Sequence, residues 1–334
     1  MIGGHHMSEK IRIGIVGYGN LGKGAEAAIT QQDDMELVAI FSRRGPGSVK
    51  PKQPNVKVVH VDDAKLYEGE IDVMLLCGGS ATDLPEQVPA FAKMFNTVDS
   101  YDTHAKIPEY FASVDKVAKP NKKTSIISIG WDPGFFSLNR VMSEAILPKG
   151  ETYTFWGKGL SQGHSDAVRR VEGVKQGVQY TLPSEEAIES VRRGENPEFT
   201  KSDSHKRECY VVLEDGADEA EVERSIKTMP HYFADYDTTV HFITEEQMRT
   251  EHNHMPHGGF VIRSGESEAG NNQIVEFSLK LNSNPEFTAS VLVAYARAAH
   301  RMHADGITGA KTIYDVAPSY ISQYTQDVLR RDYL

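Results

Sequence analysis

The segment Gly17-Tyr18-Gly19-Asn20-Leu21-Gly22 restricts this chain more than any other. It follows an apolar run, Ile11 to Val16, broken only by Arg12 and Gly14, and it opens a helical stretch, Leu21 to Gln31. A second apolar strand, Leu37 to Phe41, comes next. A G-x-G-x-x-G between a strand and a helix is the turn with which a doubly wound α/β domain holds a dinucleotide. Gly17 permits the tight turn, Gly19 lets the backbone approach a pyrophosphate, and Gly22 lets the helix pack close to the strand. With Asn20 and Leu21 they form the expected phosphate-binding set, because a helix start offers N–H groups and partial positive charge to an anion.

The tip of the second strand selects the dinucleotide. An NAD-binding domain places Asp or Glu there, about 20 residues after the glycines, to hold the ribose 2′-OH. Here the residues are Ser42-Arg43-Arg44, and no carboxylate ends the strand. Arginines bind a 2′-phosphate through charge-assisted hydrogen bonds, whereas a carboxylate would repel it. NADP is therefore the expected cofactor.

Strand and helix signals go on alternating. Val56 to Val61, Val73 to Cys77, Thr97-Val98 and Ser125 to Ile129 read as strands, with helices over Glu86 to Met94 and Pro108 to Ala118. Continuous apolar strands between helices predict a Rossmann-type, doubly wound parallel sheet covered on both faces. From Thr152 onward the strands alternate and connections lengthen: Tyr153 to Trp156, Glu208 to Leu213, Thr238 to Ile243, Gly259 to Arg263 and Ile274 to Leu281. That predicts a second, α+β domain built on a mixed sheet. The expected division is 7–133 for the nucleotide domain and 134–288 for the second domain. A helix from Ala289 to Met302 opens a stretch, 289–334, that packs back on the first. Residues 1–6 read as a tag remnant before Met7.

A chain of 334 residues suits two domains, and 39% hydrophobic residues suffice for real cores. The net charge of −11 speaks against nucleic acid or an anionic membrane as a partner. No apolar run reaches the roughly 18 residues needed to span a bilayer. Cys77 and Cys209 make no disulfide framework, so a reducing cytoplasm is the expected compartment.

Ligands of such a sheet sit beyond the carboxyl ends of its strands. Three segments lie there: Gly78-Gly79-Ser80-Ala81-Thr82-Asp83, Asp99-Ser100-Tyr101-Asp102-Thr103-His104, and Trp131-Asp132-Pro133-Gly134. Gly79, Ser80 and Thr82 join the expected cofactor set. Asp102 and Asp132, each beside an aromatic residue, suit a substrate with an ammonium group next to the carbon that loses hydride. Either could instead be a cap or turn residue, which is the expected role of Asp83 ahead of a helix. His252, His254 and His257 cluster with Pro256, but no spacing of Cys or carboxylate accompanies them, so no metal site is expected.

The stretches VGYGNLG, IFSRR, GSATDLPEQ, TVDSYD, GWDPGFFSLNR, FWGKGLSQGHSDAVRR, VQYTLPSEEA, MPHGG and NPEFTAS, running from Ile11 to about Pro318, together resemble the meso-diaminopimelate dehydrogenases. The string from Phe155 to Arg170 is the specific part. The resemblance implies NADP-dependent, reversible oxidative deamination at the D-centre of meso-2,6-diaminopimelate, giving L-2-amino-6-oxopimelate, ammonia and NADPH. It implies that Asp102 and Asp132 hold the D-centre amine beside Trp131. Trp156, Gln162 and Gly163 would lie over the substrate, with Thr181, Arg207 and His257 on the distal carboxylate and Asn284 at the L-centre amine. His164 is a further candidate for proton transfer. A homodimer formed through the second domain is also implied.

Two other readings fit parts of the sequence. Close relatives accept other D-amino acids, so a broader D-amino acid dehydrogenase is one alternative. A non-catalytic NADP sensor is the other. An NADP-dependent sugar dehydrogenase would carry a catalytic Lys after the fifth strand, where this chain has Tyr101-Asp102-Thr103-His104.

Overall fold

The computed structural model describes residues 9–334. The stretch 1–6 and Met7 lie outside the described residues. The chain runs β1 (Ile11–Val16), α1 (Asn20–Ile29), β2 (Met35–Ser42), β3 (Lys57–His60), β4 (Val73–Leu76), α2 (Leu84–Phe91), β5 (Asn96–Asp99), α3 (Ile107–Ala118) and β6 (Thr124–Ile126). After α4 (Phe135–Ile146) come β7 (Gly150–Trp156), β8 (Gly159–Leu160), α5 (Gln162–Arg169), β9 (Val174–Pro183), α6 (Glu185–Arg192) and α7 (Lys201–Ser204). Then follow β10 (His205–Leu213), α8 (Glu219–Lys227), β11 (Asp237–Phe242), α9 (Glu245–Glu251), β12 (His257–Glu268) and β13 (Asn271–Leu281). The chain ends with α10 (Asn284–Ala304), β14 (Gly309–Lys311) and two short helices, Pro318–Ile321 and Gln326–Asp332.

The described residues divide into two compact units. One holds those up to Leu138 together with Pro285–Leu334, and the other is Asn139–Asn284.

The first unit is built on a seven-stranded sheet in the order β14-β6-β5-β4-β1-β2-β3. Its strand pairs are all parallel. The order turns at β1, where β2 and β4 flank it, and that reversal opens the ligand crevice of a doubly wound sheet. Ile13, Ile15, Val73, Leu75 and Val98 are fully buried because helices cover both faces. Burying each aliphatic side chain stabilises the fold by roughly 2 kcal/mol. This is the Rossmann-type sheet read from the sequence.

Two details depart from that reading. Regular pairing of β6 stops at Ile126 rather than Ile129, because Ser128 takes a left-handed φ of 57° that a strand cannot continue through. The seventh strand, β14, escaped the sequence reading because it has only three residues.

The helix α10 is buried along most of its length, with Leu292, Val293, Ala296 and Ala299 in the core of the first unit. Its one charged core residue, Arg297, is clasped by Asp34, with Nε to Oδ2 and Nη2 to Oδ1 both at 2.6 Å. Arg297 also donates to the Ile321 carbonyl at 2.9 Å and Gln32 Oε1 at 2.7 Å.

The second unit contains two sheets. One runs β11-β10-β9-β8, with β10/β11 parallel and the other pairs antiparallel. The other is β13-β12-β7, wholly antiparallel. Cys209, Val211, Val222, Ile226 and Phe233 form one core, and Phe155, Ile188, Val191 and Ile262 another. The mixed sheet expected after Thr152 is present. The strand β9 was not among those read from the sequence.

Candidate active site

In the first unit, the turn after β1 binds its own backbone tightly. Gly17 has φ 90°, and a Cβ at Gly22 would sit 2.2 Å from the Gly17 carbonyl oxygen. These two glycines are demanded by the protein itself. A Cβ at Gly19 would meet no protein atom within 4 Å. Nothing within the fold requires glycine there, which is what a position kept clear for a ligand backbone looks like. Gly19 is the N-cap of α1 and offers no side-chain cap, and the first turn, with Asn20 and Leu21, carries no acidic residue. Those features fit a pyrophosphate at the helix start.

A cavity of about 320 Å³ opens in front of this turn, lined by Gly17, Gly19, Ser42, Arg43, Arg44 and Gly79 among others. Ser42 is buried, and its hydroxyl accepts the Arg44 N–H at 3.2 Å, which shapes the turn carrying both arginines. Arg43 Nη1 lies 3.0 Å from Asp83 Oδ1. Asp83 Oδ2 accepts the Gly79 N–H at 2.8 Å. Asp83 does hold the N-cap position of α2, but its carboxylate makes no capping hydrogen bond. Of the two roles expected for Asp83, cap or turn residue, its side chain takes the second: it holds the Gly79 turn, near Thr82, and faces Arg43. A carboxylate does reach Arg43 in this cavity, from the β4 side rather than from the tip of β2.

Two of the three loops beyond the strand ends are joined by a hydrogen bond. The Ser80 hydroxyl accepts the Asp102 N–H at 2.9 Å. Asp102 is exposed and Asp132 half-buried, whereas Trp131 is buried and packs edge-on against Phe136 at 5.1 Å between ring centres. All three sit at the carboxyl edge of the parallel sheet.

In the second unit, strand register groups residues that are far apart in sequence. Gly159 of β8 pairs with Thr181 of β9, and Thr181 pairs with Arg207 of β10. The three form one row across the sheet. Arg207 is buried at 9% exposure and donates to the Thr181 hydroxyl, and its guanidinium carbon lies 4.0 Å from the centre of the Tyr236 ring. Burial pulls the Arg207 pKa below its ordinary value, partly offset by Tyr236. Among the described residues no carboxylate pairs with Arg207. Its Nε and the nearby Gln179 Oε1 are buried without a hydrogen-bond partner. A buried cation lacking an anion is costly unless a ligand supplies one.

His257 reaches the same row by way of a glycine. A Cβ on Gly159 would lie 2.3 Å from His257 Nδ1, so only glycine lets that imidazole lie against β8. His257 Nδ1 accepts the Gly258 N–H at 2.8 Å. The backbone N–H of Asn284 binds the Met255 carbonyl at 2.9 Å, and Gln162 Nε2 reaches Met255 Sδ at 3.6 Å. Loop 252–257 therefore links Gln162, His257 and Asn284. Gly163 faces open space.

Trp156 is 38% exposed, and its backbone N–H donates to His205 Nε2 at 2.9 Å. That bond requires a neutral imidazole, and burial followed by the charge of Arg207 pushes the His205 pKa down to about 4. His164 is pushed to about 4 by the same two causes. Its Nδ1 lies 2.9 Å from the Ser161 hydroxyl, and its ring packs edge-on against Tyr232 and Phe233.

Comparison with known proteins fits this geometry. The family profile of the diaminopimelic acid dehydrogenase C-terminal domain matches residues 130–283. A meso-diaminopimelate D-dehydrogenase of Ureibacillus thermosphaericus is 63% identical over 325 residues, spanning 97% of this chain and 99% of the relative. The chain belongs to the meso-diaminopimelate D-dehydrogenase family. Two solved structures are similar throughout. The Corynebacterium glutamicum DAP dehydrogenase in complex with DAP is 48% identical, with a TM-score of 0.87 over 97% of this chain and 100% of its own. An engineered D-amino acid dehydrogenase bound to NADP+ is 47% identical, with a TM-score of 0.82 over 97% of this chain and 99% of its own.

Some residues that shape the candidate site in this meso-diaminopimelate D-dehydrogenase family member were not found in the sequence. Gly159, His205 and Tyr236 each act by contact with a residue distant in sequence. No local pattern marks them. Among the described residues no group of three His, Cys, Asp or Glu is placed to hold a metal ion, and no helix is long and apolar enough to cross a membrane.

Proposed function

We propose that this chain is an NADP-dependent enzyme that oxidatively deaminates meso-2,6-diaminopimelate at its D-centre. The products are L-2-amino-6-oxopimelate, ammonia and NADPH, and the reaction is reversible. The observation that carries the reading is Arg207, a buried guanidinium on Thr181 with which no carboxylate pairs among the described residues. A substrate with a second carboxylate far from its reacting carbon supplies that anion, and Arg is the residue for holding a carboxylate at two points.

The two units divide the work. In the first, Gly17, Gly19, Asn20, Leu21 and Gly22 hold the pyrophosphate, Ser42, Arg43 and Arg44 the 2′-phosphate, and Gly79, Ser80 and Thr82 complete the cofactor set. NADP, when bound, supplies the hydride acceptor. Asp102 and Asp132 hold the D-centre ammonium beside Trp131. Asp102 takes a proton as the amine becomes an imine, water then adds to that carbon, and ammonia leaves. Proton transfer falls to Asp102 rather than His164, because Asp102 lies at the carboxyl edge of the parallel sheet beside the proposed cofactor residue Ser80, whereas the His164 ring is packed against Tyr232 and Phe233.

In the second unit, Thr181, Arg207 and His257 bind the distal carboxylate and Asn284 the L-centre amine, while Trp156, Gln162 and Gly163 cover the substrate. Binding at the distal end selects which centre reacts. The exposed apolar side chains of Val141, Met142 and Ile146, and of Ile274 and Val275 on β13, support a homodimer formed through this unit. Free, buried Cys77 and Cys209 are in keeping with a cytoplasmic enzyme.

The deciding experiment is NADP reduction with the meso, LL and DD isomers of diaminopimelate, with NAD as control. Turnover of the meso isomer with NADP is the expected result. Turnover of simple D-amino acids but not of the meso compound would remove Arg207, Thr181 and His257 from their roles. For cofactor preference, replacing Arg43 and Arg44 with alanine together should weaken NADPH binding roughly 10- to 100-fold more than NADH binding. Equal loss for both cofactors would overturn that preference.

A further inference from the structure

Asp99 is the last residue of β5, and its side chain is fully buried. Its Oδ1 accepts two backbone N–H groups, Tyr101 at 2.8 Å and Ser128 at 3.2 Å. Its Oδ2 accepts the Tyr110 hydroxyl at 2.8 Å. Its own carbonyl accepts the Ile129 N–H at 2.9 Å. One residue thereby holds two loops: the β5 loop three residues before Asp102, and the β6 loop three residues before Trp131.

Each end of this arrangement is shaped to receive it. Ser128 adopts its left-handed φ of 57° where its N–H meets Asp99 Oδ1. Such a backbone is uncommon for a residue other than glycine and persists where its surroundings determine it. Tyr101 and Tyr110, both buried, stack with ring centres 3.9 Å apart and close the carboxylate off from water. A buried carboxylate is expensive, and here the causes acting on it include no cation, so burial pushes its pKa up to about 6. A fold that needed only a filled core would place an apolar side chain there.

We propose that Asp99 is a positioning residue for the reaction, fixing the β5 and β6 loops to one another so that Asp102 and the Trp131-Asp132 pair are presented together. This rests on the roles proposed above for Asp102, Trp131 and Asp132. Asp99 touches neither substrate nor cofactor in this scheme, and it acts through two backbone amides.

Two substitutions separate the pin from the local turn. In Asp99→Asn, the amide oxygen keeps both N–H groups and the amide nitrogen can donate to Tyr110, so the pin survives. In Asp99→Ser, the hydroxyl can still accept the Tyr101 N–H two residues on, but it is too short to span to Ser128 as well.

The experiment takes the full-length wild type and both variants. It measures kcat and KM for meso-diaminopimelate with NADP, NADPH affinity, and backbone amide exchange. Asp99→Ser is expected to lower kcat at least about 30-fold, with NADPH affinity within about twofold of wild type. Exchange should rise in 100–104 and in 127–134. Asp99→Asn should restore kcat to within about fivefold of wild type and restore protection. A folded Asp99→Ser variant with unchanged kcat, or an Asp99→Asn variant as impaired as the serine one, overturns the proposal. If the wild type itself turns over no diaminopimelate, the functional reading fails, and the exchange measurement still decides whether Asp99 pins the two loops. Unchanged exchange in Asp99→Ser refutes the pin.

Discussion

Arg43 and Asp83 face one another across the nucleotide cavity, Nη1 to Oδ1 at 3.0 Å, and Asp83 is held in place by the Gly79 N–H on its other oxygen. The guanidinium proposed for the 2′-phosphate therefore already has an anion. A 2′-phosphate must displace that carboxylate or share the arginine with it, and it meets like charge in doing so. Asp83→Asn keeps an acceptor for Gly79 and removes the competing charge. It is expected to tighten NADPH binding about three- to tenfold, with little change for NADH, by fluorescence titration. Weaker NADPH binding in that variant would make Asp83 a partner of the cofactor and not its competitor.

Arg207→Ala is expected to lower kcat/KM for meso-diaminopimelate by about 100- to 1000-fold, the loss of two charge-assisted hydrogen bonds. NADPH affinity should stay within twofold. Arg207→Lys should recover little, because an ammonium cannot grip a carboxylate at two points. Steady-state kinetics beside cofactor titration checks both statements, and wild-type efficiency in either variant would remove Arg207 from the substrate.

Much of this was legible in the sequence because the signals were local. The β1 run, the glycine turn and α1 are consecutive, and each demands the next. The strand β9 was not legible, and its burial explains why. On its buried face lie Gly177, Gln179 and Thr181, polar or small residues where a strand ordinarily shows apolar ones. The face proposed to serve the substrate lacks the alternation by which strands are found. Asp99 and Ser128 stayed hidden for a different reason. They lie 29 residues apart, and only the parallel pairing of β5 with β6 brings them together.

The His205 imidazole must stay neutral to accept the Trp156 N–H. Its folded-state pKa is about 4, below the ordinary value of 6.5. The stability it contributes is therefore complete above about pH 6.5 and is lost as pH falls towards 4. Between pH 7.5 and 5 the loss is about 2 kcal/mol from this one group. His205→Gln offers an acceptor that does not titrate. Urea unfolding at the two pH values should show a smaller acid penalty in the variant, and an identical penalty would mean that His205 is not the responsible group.

Arg297 and Asp34 fasten α10 to the turn before β2 inside the first unit. Arg297→Met retains the apolar stem and leaves Asp34 without its cation. The expected cost is about 3 kcal/mol in chemical unfolding. A loss below about 1 kcal/mol would show that packing of α10 suffices without the ion pair.

The row Gly159–Thr181–Arg207 sets an unusual pattern of tolerance for this unit. Its geometry depends on which rungs of three neighbouring strands coincide, and not on the length of chain between them. Insertions in the connections beyond β8, β9 and β10 leave the rungs aligned. A slip of β9 by a single residue would instead set Tyr180 or Leu182 opposite Arg207 and turn the Thr181 hydroxyl to the other side of the sheet. The selectivity for a second carboxylate proposed above would thus be robust to changes in loop length and lost in one step of strand register.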